Sequence, residues 1–242
     1  MNHPGTAADE QQERLRGLVT TATQRLLGDT INVTDEQWRQ PSTLPGWTRG
    51  HVATHLARQA DGLWRLTEWA RTGERQEMYL SPEHRESDID DGAGRSGLDL
   101  QIDLDTSAGR LEGGFEALTE QHTWDAEVEL RGGMRVPARL LPLARLLEVV
   151  IHHVDLDVGF TVEDIDGPTA EWLLEWCSLR LRHRDEFPRL ELHSESGFTL
   201  TVGSSGPPTR IDGTSADLLG WLTKRLGADA VSGDRGLQLP AF

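Results

Sequence analysis

Apolar residues recur at helical spacing in four long stretches of the chain. Leu15, Leu18, Val19, Ala22, Leu26 and Leu27 predict an amphipathic helix over Asp9–Leu27, interrupted at Gly28. Thr34 is placed to cap a short turn through Trp38. After a tight turn at Pro45-Gly46, Thr48 is a good N-cap for a second helix. That helix carries Val52, His55, Leu56, Leu63, Leu66, Trp69 and Ala70 and should stop at Thr72-Gly73. Residues 74–97 are polar and rich in charge, Gly and Ser, so a long surface loop is expected, a candidate for an active-site loop. Helical spacing returns over Leu98–Leu118, through Leu100, Ile102, Leu104, Ala108, Leu111, Phe115 and Leu118. Between Trp124 and Pro137 the period shortens around Gly132-Gly133, which predicts a small hairpin. A fourth long helix follows Pro142, with Leu143, Leu146, Leu147, Val150, Ile151 and Val154 on one wide face. Four long helices with a hairpin insertion predict a four-helix bundle.

The pattern shifts after Gly159, and a boundary is expected near Asp166, giving a helical domain over 1–165 and a small α+β domain over 166–242. Pro168 suits the first turn of a helix through Leu181. Two strands are expected, Arg189–His193 and Phe198–Val202, then a loop at Ser204–Pro208. Thr214 or Ser215 should cap a last helix over Ala216–Leu226, with Leu218, Leu219, Leu222 and Leu226 inward and Arg225 bordering that face.

A net charge of −16 argues against a nucleic-acid or anionic-membrane partner, because both would be repelled. No apolar run suits a bilayer span, and the N-terminus has no signal-peptide core. The single cysteine, Cys177, rules out an internal disulfide and fits a reducing cytoplasm. A soluble cytoplasmic protein is therefore expected, and a monomer is the expected oligomeric state.

Glu148 and His152 stand at i, i+4, so they lie roughly 40° apart around the helix and about 6 Å apart along it. A carboxylate and an imidazole at that spacing can share one divalent metal; they can equally form a helical ion pair. His55 faces inward on the second long helix, which in a bundle can face the fourth. Two histidines and a carboxylate leave a fourth position open, the pattern of a catalytic zinc, although iron, nickel and manganese also accept these ligands. The alternative is that His55 is a satisfied core histidine. His51 could add a ligand, hydrogen-bond locally or approach the substrate, and Asp155 could orient His152 or simply be solvated. Cys177, between Trp176 and Leu179, suits a core position better than a nucleophile. No nucleophile elbow, P-loop or dinucleotide glycine turn is present. If a thiol or another nucleophile is needed at such a metal, it must arrive with a cosubstrate.

The run Leu44-Pro-Gly-Trp-Thr-Arg-Gly-His-Val-Ala-Thr-His-Leu-Ala resembles the signature of DinB-like metalloproteins that use mycothiol. Met78-Tyr-Leu-Ser-Pro-Glu and Arg145-Leu-Leu-Glu-Val-Val-Ile-His-His-Val-Asp-Leu resemble the mycothiol-dependent maleylpyruvate isomerases. Trp221-Leu-Thr-Lys-Arg-Leu-Gly resembles the arginine-bearing helix of that family's C-terminal domain. The resemblance implies a DinB-like bundle with a C-terminal α+β domain, metal ligands at His55, Glu148 and His152, and an essential arginine at Arg225. It implies zinc or another divalent metal, mycothiol as thiol cosubstrate, and a dicarboxylate substrate. His51 matches a family histidine that is not a ligand, and His153 departs from the pattern. The implied reaction converts maleylpyruvate to fumarylpyruvate. Two other readings stay open: a metal-dependent mycothiol S-transferase, and a non-enzymatic metal- and thiol-binding protein.

Overall fold

A computed structural model describes residues 7–182, 184–233 and 236–240. The chain divides into two compact units, Met1–Gly159 and Phe160–Phe242. The first is mostly helical and the second contains a small sheet.

Helix α1 (Ala7–Thr30) runs through Gly28, where the sequence pattern predicts an interruption. One glycine costs a helix only about 1 kcal/mol relative to alanine, and Thr30 ties the last turn by donating to the Leu26 carbonyl at 2.7 Å. The short α2 (Asp35–Trp38) is capped by Thr34 and buries Trp38. Helix α3 (Arg49–Thr72) begins at the expected Thr48 cap and stops at Gly73, whose φ of 77° takes the left-handed conformation that suits glycine.

The expected loop over 74–97 is corrected by the structure. It contains α4 (Pro82–Ala93), started by Ser81 at the N-cap and Pro82 in the first turn. The helix buries only Ile89, Gly92 and Ala93, so it has almost no apolar stripe for periodicity to reveal. It lies close on α3: a Cβ on Gly50 would stand 2.2 Å from the Ala93 carbonyl oxygen. Gly50→Ala is expected to push the two helices apart, costing about 1–3 kcal/mol and lowering the thermal midpoint by roughly 3–10 °C. An unchanged midpoint would mean that the α4 backbone can yield.

Helix α5 (Gly97–Gln121) is capped by Ser96. Strands β1 (Glu127–Glu129) and β2 (Arg135–Pro137) form the expected hairpin, pairing Val128 with Val136. Gly132 and Gly133 turn it at φ 89° and 84°. Helix α6 (Leu141–Asp155) follows, with Pro142 in its first turn. Helix α3 packs against α5 and α6, and α1 packs against the same two. Leu26, Trp38, Leu56, Leu100 and Val149 belong to their shared core.

In the second unit, α7 (Gly167–Leu181) starts at Asp166, whose carboxylate accepts from the Thr169 amide at 3.0 Å. Strands β3 (Pro188–Ser194) and β4 (Thr199–Val202) pair antiparallel. The expected loop at Ser204–Pro208 is instead the start of β5 (Ser205–Gly213), parallel to β3 on its other side. Gly206, Pro207 and Pro208 hide the strand, and the register slips between Pro188 and Leu190 where they pair. The chain crosses past β3 at Gly203, with φ 70° and space for no Cβ, since one would lie 2.2 Å from the Pro188 carbonyl oxygen. Helix α8 (Ser215–Leu222) and strand β6 (Ser232–Gly233) complete the unit, with sheet order β4-β3-β5-β6.

Helix α8 is shorter than expected. Lys224 is left-handed at φ 64°, Arg225 N–H donates to the Gly220 carbonyl at 2.7 Å, and Lys224 N–H donates to Trp221 at 3.0 Å. These are the two bonds of a Schellman stop, with lysine where glycine is usual. Arg225 therefore lies beyond the helix, in the segment that closes it.

Candidate metal centre

Three side chains from two packed helices converge in the first unit. His55 Nε2 lies 3.0 Å from Glu148 Oε2 and 3.1 Å from His152 Nε2, and His152 Nε2 lies 3.4 Å from Glu148 Oε2. Ligands about 2.0–2.1 Å from a tetrahedral metal stand roughly 3.3 Å from each other, so the spacing and the donor set fit one divalent cation. Among the described residues, His55, Glu148 and His152 form the group whose ligand atoms come together closely enough to hold one.

The sequence explains the placement. Thr48 caps α3 and fixes its first turn, so the inward stripe of Val52, Leu56 and Leu63 carries His55 with it. On α6 the i, i+4 spacing puts Glu148 and His152 on the face that meets α3. Trp47 flanks the site, with its ring 5.6 Å from that of His55.

Burial pushes the His55 imidazole down to about 4, so the ring is neutral at neutral pH. Burial pushes the Glu148 carboxyl up, but hydrogen bonds with His152 and His55 outweigh it and hold the group well below its usual range. For His152 burial also opposes charge, yet bonds with Asp155 and Glu148 raise the ring above its ordinary value. An ionised carboxylate between two imidazoles is a cation site by charge as well as by distance.

Asp155 is buried and orients His152: its Oδ2 lies 2.7 Å from His152 Nδ1. Thr43 holds the same carboxylate, donating from Oγ1 to Oδ1 at 3.1 Å. Of the two roles open to Asp155, solvation is thus excluded, and the arrangement is the outer support usual for metal-binding histidines. His51 takes the local role instead. Its Nδ1 accepts from the Thr48 amide at 3.2 Å, making a capping box with histidine in place of glutamate. His153 points away from the trio, with Nε2 3.2 Å from Asp29 Oδ2 on α1.

Tyr79 lies in the family-like Met78 block and Arg85 in the segment expected as an active-site loop, but pattern reading assigned neither residue a role. Arg85 sits on α4, Nη2 3.0 Å from His55 Nδ1, with its guanidinium over the Tyr79 ring at 5.5 Å. Burial raises the Tyr79 phenol above its ordinary value. Both side chains line a groove of about 430 Å³, together with Leu80, Pro82, Glu129 and Arg131. The Ser81-Pro82 helix start was the available signal for α4; what Arg85 would touch was not readable from it.

Residues 19–157 match the family described as mycothiol maleylpyruvate isomerase N-terminal domain. The chain belongs to that family. Its fold is similar to a crystal structure of the mycothiol-dependent maleylpyruvate isomerase, at 28% identity and TM-score 0.82, with 96% of this chain and 97% of that chain covered. A histidine-to-alanine mutant of that enzyme matches at 27% identity and TM-score 0.85, with the same coverage. A search of curated protein sequences gave no significant match. Among the described residues, no helix is long and apolar enough to cross a membrane.

Proposed function

We propose that this family member is a mycothiol-dependent maleylpyruvate isomerase, with His55, Glu148 and His152 as ligands of one divalent metal, most suitably zinc. The carrying observation is a His-Glu-His trio spaced for one cation, in a chain similar over 96% of its length to an isomerase of that name. We read the four long helices as a DinB-like bundle and residues 166–242 as a separate α+β domain. The protein would act in the cytoplasm as a monomer on a small dicarboxylate, with no nucleic acid involved.

Maleylpyruvate carries a cis double bond conjugated to a ketone. Mycothiol thiolate adds to the carbon β to that ketone, and the displaced electron pair moves to the ketone oxygen as an enolate. The former double bond is now single and rotates. Return of the electron pair expels the thiolate and leaves the trans isomer, so no thiol is consumed. A divalent cation held by His55, Glu148 and His152 would supply Lewis acidity that favours the thiolate and the enolate. The protein's own groups orient the reactants: Asp155 holds His152, Trp47 walls the site, and Arg225 grips a substrate carboxylate with the two-pronged geometry that lysine lacks.

An ultraviolet assay of zinc-loaded protein with maleylpyruvate, with and without mycothiol, tests the reading. Fumarylpyruvate formed without net thiol loss supports it. One thiol lost per turnover indicates the S-transferase, and binding of both ligands without turnover indicates the non-enzymatic protein.

The protein's own thiol has no part in this scheme. Cys177 is fully buried, and burial pushes it up to about 12, so almost no thiolate exists at neutral pH. Cys177→Ser is expected to keep the activity within about threefold while losing about 1–3 kcal/mol of stability, because a hydroxyl replaces a buried apolar sulfur. A folded, zinc-loaded Cys177→Ser protein without turnover would implicate the internal thiol.

A further inference from the structure

The two histidines of the trio are held by opposite kinds of partner. Asp155 is an acceptor beside His152 Nδ1, so that nitrogen carries a proton and leaves Nε2 to face a cation. Arg85 stands 3.0 Å from His55 Nδ1, and a guanidinium has donors only. His55 Nδ1 must therefore accept, and in the neutral ring the proton sits on Nε2, toward Glu148 and His152. Nε2 can ligate a cation only if that proton moves to Nδ1, where it would point at the guanidinium, donor against donor. Ligation through Nδ1 would collide with Arg85 directly.

We propose that cation binding at His55 and the Arg85–His55 hydrogen bond exclude each other, so that loading the trio releases the Arg85 guanidinium to hold a carboxylate ligand in the adjoining groove. The inference rests on the metal reading given above. Three features of Arg85 support the second half. Its Nε is buried without a hydrogen-bond partner, so donor capacity is unspent. Among the described residues no carboxylate pairs with it, although most other arginines of the helical unit have one. It already lines the groove, over Tyr79. By linkage, cation and carboxylate must then raise each other's affinity by the same factor.

The test measures zinc affinity by chelator competition for the wild type and Arg85→Met, with and without maleate as the dicarboxylate probe. Nitrogen spectra of the His55 ring accompany it. Metal-free wild type is expected to carry its His55 proton on Nε2, and zinc should move it to Nδ1. Arg85→Met should bind zinc about tenfold to a hundredfold more tightly, the effect of removing a competing charge-assisted bond. Maleate should tighten zinc binding in the wild type and not in Arg85→Met. The proposal is overturned by a metal-free His55 protonated on Nδ1, by unchanged or weaker zinc binding in Arg85→Met, or by maleate coupling that survives the substitution, as direct coordination of maleate would produce. If Arg85→Met does not fold, the wild-type nitrogen spectra alone decide. None of these readouts needs turnover, so a chain that shows the switch but does not isomerise sinks only the isomerase reading.

Discussion

His55→Ala should bind zinc more weakly by well over the roughly 10–100-fold that loss of an outer supporting partner costs. The substitution removes one of the three proposed ligands and leaves Glu148 with His152 alone. An i, i+4 carboxylate and imidazole on one helix form a two-point site, which many exposed acidic helices can imitate. As a third ligand His55 would make the site specific, because it comes from α3, across the helix packing from the other two. Loss of the buried ring also leaves Arg85 without its acceptor, so the variant must be shown to keep its helical content before its metal is measured. Metal analysis after dialysis, with chelator competition for the residue, gives the answer. Normal zinc affinity in folded His55→Ala would remove His55 from the centre and leave the trio as a buried hydrogen-bonded cluster.

The parts of this site that were legible in sequence are those that sit on amphipathic helices. His55 shares the stripe of Val52, Leu56 and Leu63, and Glu148 and His152 flank the stripe of Leu147 and Ile151, so periodicity points all three inward. Asp155 lies three residues after His152 and was visible as one of two options; packing of Thr43 against it decided between them. Helix α4 was invisible for the opposite reason. A helix that buries only three of its residues has no stripe, and its charged sequence is indistinguishable from a solvated loop except at its Ser81-Pro82 start. Arg85 therefore went unseen, although it touches the trio. In the second unit, Gly206, Pro207 and Pro208 hid β5 because turn-forming residues there sit in a strand whose partner is irregular opposite them. Lys224 hid the end of α8, since a helix stop is read from glycine and this one uses lysine at a positive φ.

Arg225→Ala should keep fold and zinc but lose most isomerase activity. Arg225 follows the left-handed Lys224 and is half-buried, with Nη1 donating to the Thr223 carbonyl at 2.6 Å. One function of the side chain is thus local: it helps satisfy a carbonyl at the end of α8, where its charge also suits the helix dipole. If that were its whole role, Arg225→Lys would be nearly silent, because lysine supplies the same charge and can reach a nearby carbonyl. The proposed role asks more of it. A planar guanidinium can grip a carboxylate through two parallel N–H bonds, a geometry an ammonium cannot reproduce. An enclosed contact of that kind is worth roughly 2–5 kcal/mol on truncation, which is about 30-fold to several-thousand-fold in kcat/KM. Arg225→Lys should recover only part of the loss, with KM raised more than zinc affinity is altered. Thermal melting and zinc titration separate this from a merely structural role, since Arg225→Ala should keep wild-type zinc affinity and lose only about 1 kcal/mol of stability with its bond to Thr223. Activity within about threefold of wild type in that variant would take the second unit out of the mechanism. The groove beside Arg85 would then have to bind both carboxylates of the substrate without help.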